Sequence, residues 1–343
     1  MAQSRRVRVA VDAMGGDYAP GEIVKGAILA AQQDNVEISL VGPINILERE
    51  LARNRFSNNG SLIHCVEASQ VIRENEPPVL AIRRKPNCSI AVAAKLVKAG
   101  QAEALFSAGH SGAVAVGAVK YLGMLDGIQR PAIGGSLGSF ASNVVMMDLG
   151  ANVDCRPHQL LAFAIAGSVY ARKFLNIANP KVGLLNTGSE EGKGNALVRE
   201  TYTILKNSGL NFIGNVEGND ILSGKADVIV CDGFVGNVVL KFYESIGDGA
   251  LQWTKKKLKK YPLLPEMAEL LFHRLFPVAK MSRETEEDGA GILWGVDGVV
   301  RIAHGASRAP QIALGITSAG KAVRTDIIGC LKSELLEFKN GGK

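Results

Sequence analysis

The sequence of 343 residues lacks the features that mark membrane-spanning, secreted and metal-binding proteins. It has no apolar run of about 18 residues or more, so nothing in it predicts a membrane span. Its five cysteines are scattered without a C-x-x-C pair, which argues against disulfides and favours thiols in a reducing compartment. Its five histidines show no metal-ligand spacing. The first residues run directly into a predicted strand, without a signal-peptide core. We expect a cytoplasmic protein without a metal.

Three common enzyme signatures are absent or incomplete. No G-x-G-x-x-G occurs, which argues against a standard dinucleotide site. Residues 188–193 resemble a P-loop but are one residue too short and lack Ser or Thr after Lys193, so an ATPase is rejected. Residues 134–138 fit G-x-S-x-G, but the residues before them are too few and too proline-bound for the strand of a nucleophile elbow. A loop is favoured there over a serine hydrolase.

The positive charge of the chain is local. Residues 253–283 contain eight basic and two acidic residues, which equals the whole formal excess of +6. The rest of the sequence is balanced, and this argues against a general nucleic-acid-binding protein.

Alternating apolar runs predict a mostly parallel sheet covered by helices on both faces. Strands are predicted near 7–13, 36–42, 61–67, 104–108, 143–149, 181–186, 211–216, 226–232 and 298–304. Helices are predicted near 21–33, 44–54, 89–99, 111–122, 157–175, 194–208, 235–260 and 308–338. Without a clear linker, we expect one three-layer α/β/α domain over 1–343, with a helical excursion near 240–288.

Glycine-rich polar turns recur where the predicted strands end. The first spans Asp12 to Pro20 and contains Gly15 and Gly16. Others lie at 107–113, 148–155, 186–195, 215–218, 232–237 and 303–307. Because ligands bind at the carboxyl ends of parallel strands, six further turns of this kind predict a large anion-tolerant cleft.

Four polar side chains in these turns are candidates for chemistry. Lys193 lies between two glycines and could place its charge on a phosphate or an oxyanion, or be a solvated loop lysine. Asn237 could donate to the same oxyanion, or cap a helix. His110 and His304 each neighbour a glycine and could bind phosphate, move a proton or be structural.

Together these strings resemble one family. VDAMGGD at 11–17 with Ala19-Pro20, DLGANVDC at 148–155, GLLN at 183–186, EGKGN at 191–195, IGNVEG at 213–218 and CDGFVGN at 231–237 are similar to the phosphate acyltransferases that use acyl carrier protein. The match runs from about Val7 to Leu336. At 109–113 the chain reads GHSGA where the family usually has GNTGA, so His110 is a departure and Ser111 keeps a hydroxyl.

The resemblance implies a fold similar to isocitrate and isopropylmalate dehydrogenases and to phosphotransacetylases, as a homodimer. It implies that inorganic phosphate attacks the thioester of a long-chain acyl carrier protein, giving acyl phosphate for phospholipid synthesis by a membrane glycerol-3-phosphate acyltransferase. It implies no cofactor. Lys193 and Asn237 are the predicted catalytic residues. The predicted phosphate- or substrate-binding residues are Asp12, Gly15, Gly16, His110, Ser111, Asn186, Thr187, Asn195, Asp232 and His304.

The basic segment 253–283 is also apolar, with Leu264, Leu271, Leu275 and Phe276 as predicted membrane contacts. A membrane surface is favoured, which would make the protein peripheral to the membrane. A dimer interface and acidic acyl carrier protein are the alternative partners.

Three other functions stay open. An acyl-CoA or acetyl-CoA phosphotransacetylase would share the chemistry but give no reason for the basic, apolar segment. A dehydrogenase would need a metal-binding aspartate set and a nucleotide pocket. A non-catalytic membrane scaffold would not need the polar turns.

Overall fold

The computed structural model describes residues 5–33, 36–56, 62–137, 144–258 and 290–341. Strands and helices alternate along most of the chain. In chain order they are β1 (Val7–Asp12), α1 (Gly21–Gln33), β2 (Val36–Gly42), α2 (Ile44–Arg53), β3 (Ile63–Glu67), α3 (Pro78–Arg84), α4 (Ser89–Lys98), β4 (Ala104–Ser107), α5 (Ser111–Tyr121), β5 (Ala132–Ser136), β6 (Val145–Met147), α6 (Pro157–Phe174), β7 (Val182–Leu185), α7 (Ala196–Lys206), β8 (Phe212–Val216), β9 (Val228–Val230), α8 (Gly233–Leu258), β10 (Gly291–Trp294), β11 (Val299–Ile302), α9 (Ala309–Arg324) and α10 (Ile327–Gly341).

The chain divides into two compact units. The first consists of Met1–Ile133 and Asp288–Lys343, and the second of Gly134–Glu287. The interpretation of residues 1–343 as a single domain stays a prediction.

The first unit has the strand order β3-β2-β1-β4-β11-β10. Its pairs are parallel from β3 to β11, and β10 runs antiparallel to β11. Successive side chains of β1 point to opposite faces of the sheet. Ala10 packs in the cluster that α4 and α5 cover, whereas α1 and α9 pack against each other and against the sheet. A Cβ on Gly26 of α1 would lie 2.5 Å from Cβ of Ile312 in α9, so this helix pair needs glycine there.

The second unit has the strand order β5-β6-β9-β7-β8. Strands β6, β9, β7 and β8 are parallel, and β5 is antiparallel to β6. Helix α6 packs on the face of Val145 and Val228, where a Cβ on Gly167 would lie 2.5 Å from Val228 Cγ1. Helix α8 packs Val239 and Leu240 against the cluster of Met146 and Ile229. Helices therefore cover both faces here, which confirms the predicted layered α/β class.

Each predicted strand is present, β2 with the predicted bounds and the others with shorter ends, but β5, β10 and α3 were not predicted. The loop expected at 134–138 is wrong, because Ala132–Ser136 form β5 and the Leu137 amide continues the pairing by donating to the Val144 carbonyl. This antiparallel context is not the strand-to-helix turn of a nucleophile elbow. The single helix expected at 308–338 is two helices, separated at Asp326, whose φ is +49°.

Across the described ranges, no helix is both long enough and apolar enough to cross a membrane. The predicted membrane contacts Leu264, Leu271, Leu275 and Phe276 lie outside the described residues. Only the first part of segment 253–283, up to Leu258, belongs to a described element, α8.

Candidate active site

The opening turn of the first unit packs backbone against backbone. A Cβ on Gly15 would lie 2.5 Å from Asp12 Oδ2 and 2.7 Å from the Gly109 nitrogen, so the turns after β1 and β4 approach as only glycine allows. Gly16 has φ +109°, and the next residue, Asp17, donates its amide to the Gly305 carbonyl at 2.8 Å. Three predicted turns of this unit are thus in direct contact.

The Asp12 carboxyl lies beneath these turns and is 1% exposed. Its Oδ2 accepts the Ser107 hydroxyl at 2.7 Å, and its Oδ1 accepts the Met14 amide at 3.2 Å. Burial raises the pKa of Asp12, and hydrogen bonds from Ser89, Ser107 and the Met14 and Gly15 amides oppose that rise. Asp12 therefore fixes the turns, and direct contact with substrate stays a prediction for it.

His110 and Ser111 begin α5 at the end of β4. His110 is half-buried, and its Nδ1 accepts the Gly112 amide at 3.2 Å, so His110 is the N-cap of this helix. With Nδ1 as acceptor, Nε2 carries the proton of the neutral ring and can donate. Ser111 and His304 are exposed. The structure therefore brings His110, Ser111, Gly15 and Gly16 to one region of the first unit, and supplies the structural role that the sequence left open for His110.

The turn after β6 in the second unit is organised by Asp148, which is fully buried. Its Oδ1 accepts the Gly150 and Ala151 amides, each at 3.1 Å, and its Oδ2 accepts the backbone and side-chain N–H of Asn152, each at 2.8 Å. The Gly233 amide, at the start of α8, donates to the Asn152 carbonyl at 2.7 Å. Asp148 and Asn152 were not among the candidate residues, although an aspartate followed closely by glycine and asparagine is the signal of such a turn.

Asn237 lies in the second turn of α8 and is exposed. The helix is capped by Asp232, whose Oδ1 accepts the Val235 amide at 2.9 Å. The capping role considered for Asn237 is therefore wrong, because Asp232 has it. A Cβ on Gly150, whose φ is +135°, would lie 3.3 Å from Cβ of Asn237, so the amide group stands beside the Asp148 turn.

Lys193 lies in the turn that joins β7 to α7. Asn186 holds this turn by donating from Nδ2 to the Lys193 carbonyl at 3.2 Å and accepting the Thr187 amide at 2.7 Å. Asn195 caps α7 by accepting the Val198 amide at 2.9 Å. The Lys193 side chain is exposed, and no acceptor or carboxylate engages its ammonium within the described ranges. A positive charge without a partner, on a turn fixed by side chains, is available to an anion.

Asn215, the next-to-last residue of β8, joins this strand to the Lys193 turn. Its side chain is 4% exposed, and its Nδ2 donates to the Glu190 carbonyl at 2.8 Å. Because β6, β9, β7 and β8 are parallel, Asn215 at the end of β8, the Lys193 turn after β7 and Asn237 in the helix after β9 all lie at the carboxyl ends of one set of strands. The predicted cleft containing all the polar turns stays a prediction.

The cysteines are free thiols. Burial raises the pKa of Cys88, and it raises the pKa of Cys231 well above its ordinary value, with Asp232 and Asp148 adding to the second shift. Thiols of this kind are not nucleophiles at neutral pH. In the part of the chain that the structure describes, no group of three His, Cys, Asp or Glu side chains could hold a metal ion.

Residues 7–329 match the family model described as "Fatty acid synthesis protein". A phosphate acyltransferase of Cyanothece sp. is 47% identical over 321 residues, covering 93% of this chain and 92% of that protein. A phosphate acyltransferase of Pelotomaculum thermopropionicum is 43% identical over 338 residues, covering 98% of each.

Solved structures of similar fold include a phosphotransacetylase and a putative dehydrogenase. A phosphotransacetylase from Streptococcus pyogenes aligns with a TM-score of 0.62 at 17% identity, covering 93% of this chain and 94% of that one. A putative 4-hydroxythreonine-4-phosphate dehydrogenase from Salmonella typhimurium aligns with a TM-score of 0.56 at 12% identity, covering 93% and 99%. These likenesses confirm the predicted fold class and carry no function.

Proposed function

The chain belongs to the phosphate acyltransferase family and is a transferase enzyme, and from this we propose that it transfers a long-chain fatty acyl group from acyl carrier protein to inorganic phosphate. The acyl phosphate then serves phospholipid synthesis. The observation that carries the proposal is Lys193, an exposed ammonium without a partner among the described residues, on a turn that Asn186 and Asn195 fix.

The reaction balances without a protein nucleophile. An oxygen of hydrogen phosphate attacks the thioester carbonyl carbon and forms the new C–O bond. The C–S bond of the tetrahedral intermediate then breaks, and the proton of hydrogen phosphate ends on the carrier thiol. Since phosphate is already nucleophilic, the protein needs only to position it and stabilise the oxyanion.

Lys193 and Asn237 are the proposed oxyanion donors. Both stand on elements that follow the carboxyl ends of neighbouring strands, β7 and β9, and both side chains are exposed. Asn186, Thr187, Asn195 and Asp232 accompany them as proposed substrate-binding residues of the second unit. The proposed phosphate- or substrate-binding residues of the first unit are Asp12, Gly15, Gly16, His110, Ser111 and His304.

We place the protein in the cytoplasm, as a homodimer at the membrane surface. Support comes from the basic, apolar segment 253–283 and from α8, which leads into it. Four exposed apolar side chains of α8, Phe234, Val238, Phe242 and Ile246, recur every fourth residue and form one apolar face. Such a face suits a lipid surface, and a second subunit is the other occupant that it fits.

The direct test supplies palmitoyl carrier protein and phosphate and measures two products, free thiol and acyl phosphate trapped as hydroxamate. We expect both to form in equal amounts and only when phosphate is present. Palmitoyl-CoA and acetyl-CoA are compared at equal concentration. Preference for acetyl-CoA would assign a phosphotransacetylase instead, and failure with all three donors would favour the scaffold.

A further inference from the structure

Five cations surround the C-terminal end of α3, and none has a part in the reaction proposed above. They are Arg83, Arg84, Lys85, Lys95 and Lys120. The Glu76 carboxylate pairs with Lys85 at 2.6 Å. The whole cluster belongs to the first unit.

The three lysines have structural partners. Lys85 donates to the Val71 carbonyl at 2.8 Å, Lys95 to the Pro86 carbonyl at 2.6 Å, and Lys120 to the Ile82 carbonyl at 3.5 Å. The Ile82 carbonyl belongs to the last turn of α3, where an ammonium satisfies a free carbonyl and stabilises the helix dipole, and the Val71 and Pro86 carbonyls belong to the loops on either side of the helix. This accounts for the lysines and leaves the arginines to be explained.

Arg83 and Arg84 are exposed, and neither guanidinium has an acceptor in the described part of the chain. Four residues before them lie Val79 and Leu80, which are 63% and 44% exposed. Residues four apart share a helix face, so Arg83 lies on the same face as Val79, and Arg84 lies on the same face as Leu80. The outer side of α3 is thus apolar at one end and basic at the other.

This surface begins beside the candidate site. A Cβ on Gly112 would lie 3.0 Å from Pro78 Cγ and 3.1 Å from His110 Cε1, so the first residue of α3 stands against the start of α5. Seven helical residues extend about 10 Å. The arginines therefore lie about that far from the His110 turn, on the surface.

We propose that Val79, Leu80, Arg83 and Arg84 form the docking surface for an acidic amphipathic helix of the carrier protein that brings the acyl thioester. The inference rests on the proposed function and adds where the donor binds. Guanidinium groups without partners bind carboxylates with two parallel hydrogen bonds. The apolar pair buries the apolar side of such a helix, and the net positive charge raises the rate of encounter with an acidic partner.

The test reverses both charges in Arg83→Glu/Arg84→Glu and compares two donors: acyl carrier protein and the uncharged thioester octanoyl-N-acetylcysteamine. We expect kcat/KM for the carrier to fall at least about tenfold and to depend less on salt, because electrostatic steering contributes about 10- to 1000-fold to such rates. The small thioester should react as with the wild type. Direct binding of the carrier, by fluorescence anisotropy, should weaken in parallel.

The matched control is Arg49→Glu/Lys173→Glu, which makes the same change in charge at exposed positions of α2 and α6. It should leave the carrier kinetics unchanged. Equal loss with both donors, or an equal effect of the control, would overturn the docking surface. So would loss of vesicle binding with unchanged carrier kinetics, which would assign the surface to lipid.

A wild-type protein inactive with the carrier would contradict the proposed function itself. The milder Arg83→Gln/Arg84→Gln separates charge from folding and should show a smaller loss of the same kind.

Discussion

The side-chain amide of Asn215 donates to the Glu190 carbonyl oxygen at 2.8 Å and so ties the end of β8 to the turn that carries Lys193. Asn215 is buried, whereas the Lys193 side chain, on the turn that this bond holds, is exposed. Asn215 therefore holds the turn of the proposed site in place, whereas Lys193 supplies the exposed charge.

Asn215→Ala tests this support. It removes the hydrogen bond to the Glu190 carbonyl, and we expect the free energy of unfolding to fall by about 0.5–1.5 kcal/mol and turnover to fall as the Lys193 turn loosens. Urea unfolding and acyl phosphate assays measure the two effects. Asn207→Ala is the control, because its amide also donates to a carbonyl, that of Thr203 at 2.9 Å, but on the exposed end of α7. Equal effects of the two substitutions would argue against a special role for Asn215.

Lys193→Ala tests the proposed chemistry. Since the side chain is exposed and unpaired in the described chain, we expect an unchanged melting temperature. Loss of one oxyanion donor lowers the rate by about 100- to 1000-fold, which the hydroxamate assay measures. Lys173→Ala removes an exposed lysine from the end of α6 and should retain full activity. Near-normal turnover of the Lys193 variant would remove this residue from the mechanism.

Gly15→Ala tests the close approach of the two turns in the first unit. The new methyl group would lie 2.5 Å from Asp12 Oδ2 and 2.7 Å from the Gly109 nitrogen, so we expect a loss of stability of about 1–3 kcal/mol. Thermal unfolding reports it. Gly249→Ala in α8 meets nothing within 4 Å and should stabilise slightly, as alanine does in a helix. A stable Gly15 variant would mean that the turns separate at little cost.

The pH dependence of stability tests the buried carboxyl of Asp12. Because burial raises its pKa above the ordinary 3.8, the folded protein binds this proton more tightly than the unfolded chain does. The contribution to stability is therefore present at low pH and is lost as the pH rises from about 3.8 through the raised value. We expect the difference in unfolding free energy between wild type and Asp12→Asn to fall over that range, measured by urea unfolding from about pH 4 to pH 8. A difference that rises with pH would show that hydrogen bonds to the carboxylate outweigh burial.

Leu271→Glu/Phe276→Glu tests the proposed membrane contact. Charge on an apolar membrane-binding face opposes insertion, so the variant should no longer sediment with anionic liposomes. Leu314→Glu/Leu336→Glu is matched in chemistry and exposed, on α9 and α10, and should sediment like the wild type. Undiminished binding of the first variant would exclude this segment as the anchor, and loss of the dimer instead would assign it to the subunit interface.

The sequence predicted the elements whose apolar pattern is long or regular. Strand β2 and helix α1 are found with the predicted bounds, because alternation of apolar residues with Glu37 and Ser39 indicates a strand and a helical repeat of apolar residues indicates a helix. Strand β5 was missed because Gly134 and Gly135 give it little apolar character and its stability comes from pairing with β6. Helix α3 was not predicted, although it begins at Pro78 and proline is favoured at the first position of a helix.

The candidate site also has features that the sequence predicted and features that it did not. Glycine-rich turns were recognisable by composition, and the positive φ of Gly16 and Gly194 explains why glycine stands there. The role of each asparagine depends on contacts between turns that are distant in sequence. These contacts decide whether it caps a helix, holds a turn in place or stays exposed. Asp232, rather than Asn237, caps α8, and no local pattern distinguishes the two.

The division of the first unit has a consequence for synthesis on the ribosome. Strand β4 pairs with β1 on one side and with β11, nearly 200 residues later, on the other. Helix α9, which covers Gly26 of α1, comes later still. The second unit is continuous and can complete its contacts as soon as it has been translated, since such units generally fold in order of emergence. The N-terminal segment cannot complete its fold until β11 and α9 have been translated, and until then the edge of β4 and one face of α1 stay uncovered. Exposed edges of this kind are where chaperones act and aggregation begins. Truncation near the C-terminus should therefore damage the part of the fold that is made first.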